Sequence, residues 1–229
     1  MTIITTDVVS TVAVDLYRDI HKGIRAELFA LVQEAAAADP TSTLDQRSLS
    51  DHVGAVAELL RKHAEHEDTH IQTTLEAHLP ELAERVLIDH SAIETRLEDI
   101  VGRAHALGDS RAARAEVHWL QLDLASFTAD YLAHQDLEER QIMPALDEAV
   151  GADAVLGLHA EIIASIPPDE LMRTLALMLP AMNVDDRTEL LGGIRSGAPE
   201  TVFDGIWDLT CSVLTPSQVD ALAQQLDRS

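Results

Sequence analysis

Apolar residues recur at helical spacing through four long stretches of the chain, and alternating strand-like runs are missing. The pattern predicts helices over about Asp7 to Ala38, Leu49 to His78, Pro80 to the "HALGDS" turn, and Ser110 to Val150. Ser48 or Ser50 is the expected cap of the second. Pro80 opens the third with Glu81 and Glu84 in its first turns, and Gly151 stops the fourth. Short links between long helices favour antiparallel neighbours. The expected architecture is therefore all-α, an up-down-up-down four-helix bundle over residues 1–151.

From residue 152 to 229 the texture changes. Prolines at 167, 168, 180, 199 and 216 cut this stretch into short pieces. "NVDD" and "LTPSQ" read as helix starts capped by Asn183 and Thr215. Three or four short helices are expected here, as an appendage of unknown role.

An internal repeat carries the chemistry. "HAEHEDTHIQTTL" (63–75) lies over "HQDLEERQIMPAL" (134–146), and "IHKGIRAEL" (20–28) lies over "DHSAIETRL" (89–97). His21, His63, His90 and His134 thus occupy corresponding places on four helices. Three of the helices add a glutamate four residues later: Glu67, Glu94 and Glu138. That spacing puts both side chains of a pair on one helix face, along the apolar stripe. Four imidazoles and three carboxylates pointing into one core would cost a great deal without a cation. Metal ligation is the economical reading. Imidazole with carboxylate and no thiolate suits iron, manganese or zinc, and seven ligands suit a dinuclear site.

Three further residues lie near this set. His70, one turn beyond Glu67, is a fifth histidine whose repeat counterpart is Gln141, which favours a supporting place over ligation. Tyr17 and Tyr131 fall within a turn of His21 and His134 on the inner faces. They read as core tyrosines or as phenols that hydrogen-bond a metal ligand. His66 falls at the edge of its stripe, and His52, His78, His105, His118 and His159 have no matching partners.

In order, "DIHKGIR", "HAEHED", "IDHSAIE" and "HQDLEERQIMPAL" resemble the hemerythrin-like, or HHE cation-binding, domains over roughly residues 10 to 150. The resemblance implies a non-haem di-iron centre held by His21, His63, Glu67, His90, Glu94, His134 and Glu138, with Glu67 and Glu138 as bridges. Oxygen carriers of that family place a histidine where this chain has Glu94, and an Asp at plus five where it has Glu138 at plus four. The extra carboxylate makes the set harder and more anionic, which favours the ferric state. This points away from reversible oxygen carriage and toward reaction with oxygen, peroxide or nitric oxide, with catalase- or peroxidase-like turnover as one form.

Two other classes compete. One is a non-catalytic oxygen or iron sensor, or an iron-handling module, signalling to a partner or a second copy through the C-terminal helices. The other is a di-iron oxygenase acting on a small organic metabolite. Ferritin-like oxygenases present two E-x-x-H motifs, whereas here only Glu67–His70 fits and its counterpart ends in Gln141. "HEDTH" also matches the zinc-protease H-E-x-x-H. That family keeps uncharged residues before the second histidine and sets the helix beside a sheet, whereas this sequence has Asp68 and no visible strand pattern.

Composition narrows partners and place. The formal charge of −24, from 40 acidic and 16 basic residues, repels nucleic acid and anionic membranes. The single cysteine, Cys211, excludes an internal disulfide and fits a reducing cytoplasm. No basic, apolar leader opens the chain and no apolar run is long enough to span a bilayer, so a soluble protein is expected.

Overall fold

The computed structural model describes residues 12, 14–108 and 114–227. The expected helix starts at Asp7 and Ser110 lie outside them. Among the described residues every regular element is helical: α1 (Arg18–Ala37), α2 (Thr43–His70), α3 (Gln72–His78), α4 (Pro80–Gly108), α5 (Arg114–Leu137), a π-turn (Glu138–Ile142), α6 (Met143–Val150), α7 (Ala152–Ser165), α8 (Pro168–Ala181), α9 (Val184–Gly197), α10 (Glu200–Val213) and α11 (Pro216–Gln225). No helix among them is long and apolar enough to cross a membrane.

Two compact units divide the chain. The described residues of Met1–Tyr17 with Leu31–Ile162 form one, and those of Arg18–Ala30 with Ile163–Ser229 form the other.

In the first unit, side-chain pairs fix the direction of successive helices. Glu34 meets the Ser48 hydroxyl at 3.0 Å and His52 Nδ1 at 2.6 Å, so the end of α1 lies against the first turns of α2. A single residue, Leu79, links α3 to α4 and turns the chain back. Arg103 pairs with Asp123 at 2.8 Å and Arg96 with Asp130, which sets α5 antiparallel to α4. Tyr17, Ile71, Leu75, Val86, Ile142 and Leu146 close the core at one end.

Three details depart from the sequence pattern. Helix α2 begins six residues before Leu49, because Ser42 caps it: the Ser42 oxygen accepts from the Asp45 N–H at 3.2 Å, and its hydroxyl donates to the Asp45 carboxylate at 2.7 Å. The two long repeated helices are also interrupted at matching heights. Helix α2 breaks at Ile71, and α5 gives way to the π-turn that ends at Ile142. Both isoleucines are buried, and both follow a glutamate by four residues. Helix α6 then ends at Gly151, whose φ of 81° is a conformation that residues with a side chain rarely adopt.

The second unit holds more helices than expected. Besides α7, whose last residues belong to it, four helices follow with two-residue links, too short to register as loops in the apolar pattern. Asn183 caps α9 by accepting from the N–H groups of Asp185 and Asp186 at 2.9 and 3.0 Å. Thr215 precedes α11, and its N–H donates to Gln218 Oε1 at 2.9 Å. Leu175, Leu179, Leu191, Phe203, Ile206 and Leu222 form the core. The first turns of α1 are fastened into this unit: Lys22 pairs with Asp186, Arg18 with Glu189 at 3.0 Å, and Gly23 lies against Leu177 and Met178.

Candidate metal centre

Within the first unit, α2, α4, α5 and the π-turn bring Glu67, His90, His134 and Glu138 together. One ligand atom from each lies within 4.8 Å of the others, and all four side chains are buried. The helical repeat accounts for much of the meeting: Glu67 and Glu138 each follow a histidine by one turn, and both are buried.

Glu67 lies between two imidazoles. Its Oε1 is 3.1 Å from His63 Nε2 and its Oε2 is 3.4 Å from His90 Nε2. Across the site, His134 Nε2 stands 3.2 Å from Glu138 Oε1, and His90 Nε2 stands 4.0 Å from the same oxygen. None of the contacts around Glu67 has hydrogen-bond geometry: both Glu67 oxygens and His90 Nε2 are buried without a hydrogen-bond partner among the described residues. Buried acceptors left so close together are costly unless a cation lies between them. Imidazole and carboxylate donors without a thiol fit iron, manganese or zinc, and the single cysteine is exposed on α10.

The backs of two imidazoles carry carboxylates that the sequence pattern did not single out as functional. His90 Nδ1 lies 2.9 Å from Asp68 Oδ1, and His134 Nδ1 lies 3.7 Å from Asp89 Oδ2. Their sequence signal was adjacency alone, Asp68 beside Glu67 and Asp89 beside His90. Burial works to lower the His90 pKa, but the bond to Asp68 and the nearby charge of Glu67 outweigh it and push it up to about 10 while no cation shares the site. His134 moves the other way, chiefly because burial disfavours its charge.

Tyr17 and Tyr131 are buried in the same unit, and the Tyr131 ring packs edge-on against His134 with centroids 5.9 Å apart. Burial first, and then the charges of Glu138 and Glu67, hold both phenols well above their ordinary range. They stay protonated.

The remaining expected residues fall as follows. His21 is buried on the segment of α1 that belongs to the second unit. His70 is half-buried on the last turn of α2 and lies outside the group. Glu94 is not brought in: it is exposed on α4. The buried face of that helix (Val86, Leu97, Ile100) lies to one side of His90, by about 20–80° at 100° per residue. Glu94 sits about 40° to the other side, next to exposed Leu87. Among the residues without an expected role, His52 has a structural one as the partner of Glu34.

A family model described as Hemerythrin HHE cation binding domain matches residues 12–146, more than half of the chain. No curated protein and no solved structure matches it.

Proposed function

The chain belongs to the hemerythrin HHE cation-binding family, and on that footing we propose that it holds two iron ions and reacts with oxygen, peroxide or nitric oxide. The carrying observation is the division of the Glu67 carboxylate, one oxygen toward His63 and the other toward His90. A carboxylate so placed is suited to bridge two ions. His63, His90, His134 and Glu138 would supply further ligands from the first unit, and the sequence repeat offers His21 as a candidate to add to them.

Iron held there supplies an exchangeable coordination position and one-electron chemistry toward small ligands. The chain's own part is to shape the surroundings. Ile71, Ile142 and Leu146 keep bulk water from one end of the site. The neutral phenols of Tyr17 and Tyr131 hold a proton at their oxygens close to the two glutamates whose charge raises their pKa.

Metal analysis with an optical spectrum of purified protein tests this reading. It expects about two irons per chain and near-ultraviolet charge-transfer bands that change on adding peroxide or nitric oxide. A single zinc per chain, with no such bands, would end it.

A sensor reading has one observation in its favour. The segment of α1 that carries His21 is fastened to the C-terminal helices by Arg18, Lys22 and Gly23. On that reading, hydrogen exchange in α8 to α10 slows when iron is added. Identical exchange in both states would leave the reactive reading alone.

A further inference from the structure

Asp68 is the residue that spoils the zinc-protease match, and its bond to His90 gives it a different part. Its position is specific. It follows Glu67 on α2, and its side chain, 44% exposed, reaches across to α4, where Oδ1 lies 2.9 Å from Nδ1 of His90. The opposite face of that imidazole is turned inward, with Nε2 3.4 Å from Glu67 Oε2 and 4.0 Å from Glu138 Oε1.

We propose that Asp68 is a positioning residue of the metal centre, which keeps the His90 proton on Nδ1 and presents the Nε2 lone pair to the ion. This rests on the metal-centre reading given above. A neutral imidazole carries one N–H, and an acceptor at one nitrogen decides which nitrogen remains free to ligate. The acceptor also fixes the ring's rotation and raises its basicity, which strengthens ligation. Because Asp68 is the sequence neighbour of Glu67, one turn of α2 supplies a ligand and the support for the ligand on the next helix. Asp89 repeats the arrangement one helix on, beside His90 and facing His134 Nδ1, but at 3.7 Å the contact is too long for a direct hydrogen bond. Its effect is correspondingly smaller.

Chelator competition with zinc, a redox-silent probe, reads the affinity of the full-length protein without reference to turnover. Asp68→Ala is expected to weaken zinc binding by about 10- to 100-fold at the position His90 serves. Asp68→Asn keeps an acceptor oxygen and is expected to lose less. Asp123→Ala, which removes the carboxylate paired with Arg103 at 2.8 Å, is expected to bind zinc like the parent. Circular dichroism of the metal-free variants separates a folding defect from a ligation defect. Asp68 is overturned as a positioning residue if Asp68→Ala binds zinc within twofold of the parent while His90→Ala does not. If the parent itself takes up no zinc or iron, the metal centre fails, and this inference with it.

Discussion

Glu67 Oε1 lies 3.1 Å from His63 Nε2 across one turn of α2, an acidic oxygen and a ring nitrogen held close although that oxygen accepts no hydrogen bond. Such a contact gains from a cation and has little to offer without one. Ligand linkage converts this into a thermal shift. At one hundred times Kd, bound metal adds about 2.7 kcal/mol, which is roughly 5–10 °C for a chain of this size. We expect saturating zinc or ferrous iron to raise Tm by that order, and Glu67→Ala to remove most of the rise. An undiminished shift in Glu67→Ala would mean that the ion binds elsewhere.

Glu94 supplies the complementary control. It is exposed, whereas Glu138 is 1% exposed, although the sequence presents them as equals. Glu94→Gln is expected to retain the parent's metal content and affinity, and Glu138→Gln to lose at least about tenfold in affinity. Metal analysis after dialysis against a weak chelator decides it. Equal losses would restore Glu94 to the ligand set.

Gly23 tests the packing of the second unit. A Cβ built there would lie 2.2 Å from Leu177 Cδ2 and 3.4 Å from the Met178 backbone. The flexible end of Leu177 can move for one methyl group, and alanine recovers up to about 1 kcal/mol of helix propensity. Gly23→Ala is therefore expected to be nearly neutral. Gly23→Val adds two more carbons against the α8 backbone and should cost about 2 kcal/mol or more. Urea denaturation measures both, and a neutral valine would show that the contact is loose.

The cap of α2 gives an acid-side prediction. The hydroxyl of Ser42 and then the backbone N–H of Asp39 hold the Asp45 carboxyl below its ordinary range, and the N–H and hydroxyl of Thr41 do the same for Asp39. A depressed carboxylate stabilises the fold fully above its unfolded pKa, about 3.9. That contribution is lost as pH falls through the lower folded value. The double variant Asp39→Asn, Asp45→Asn is expected to lose Tm less steeply than the parent on acidification from about pH 5 to 2.5. Parallel curves would show that the cap carries no charge-dependent stability.

Much of this was legible in the residues. Apolar periodicity and short links gave the helical architecture, the histidines repeated on four helices gave the metal-site reading, and the buried Glu67, His90, His134 and Glu138 do converge. The third helix misled because angular distance from His90 has no sign in sequence, and only the neighbouring helices decide which side is covered. The Ser42 cap was hidden by Leu44, which is 75% exposed and breaks the apolar phase at the start of α2. Asp68 was invisible as a partner because its contact joins α2 to α4, and local spacing carries no record of that pairing.

The π-turn at Glu138–Ile142 has one more effect. A turn that closes over one extra residue sets the following helix back by about 100° relative to an uninterrupted one. The rod from Arg114 to Val150 therefore presents two rotational phases, one serving His134 and Glu138 and the other serving Met143 and Leu146. A substitution that retunes the apolar seal past Ile142 leaves the angular setting of the ligands untouched. The chain can vary its plug without disturbing its donors.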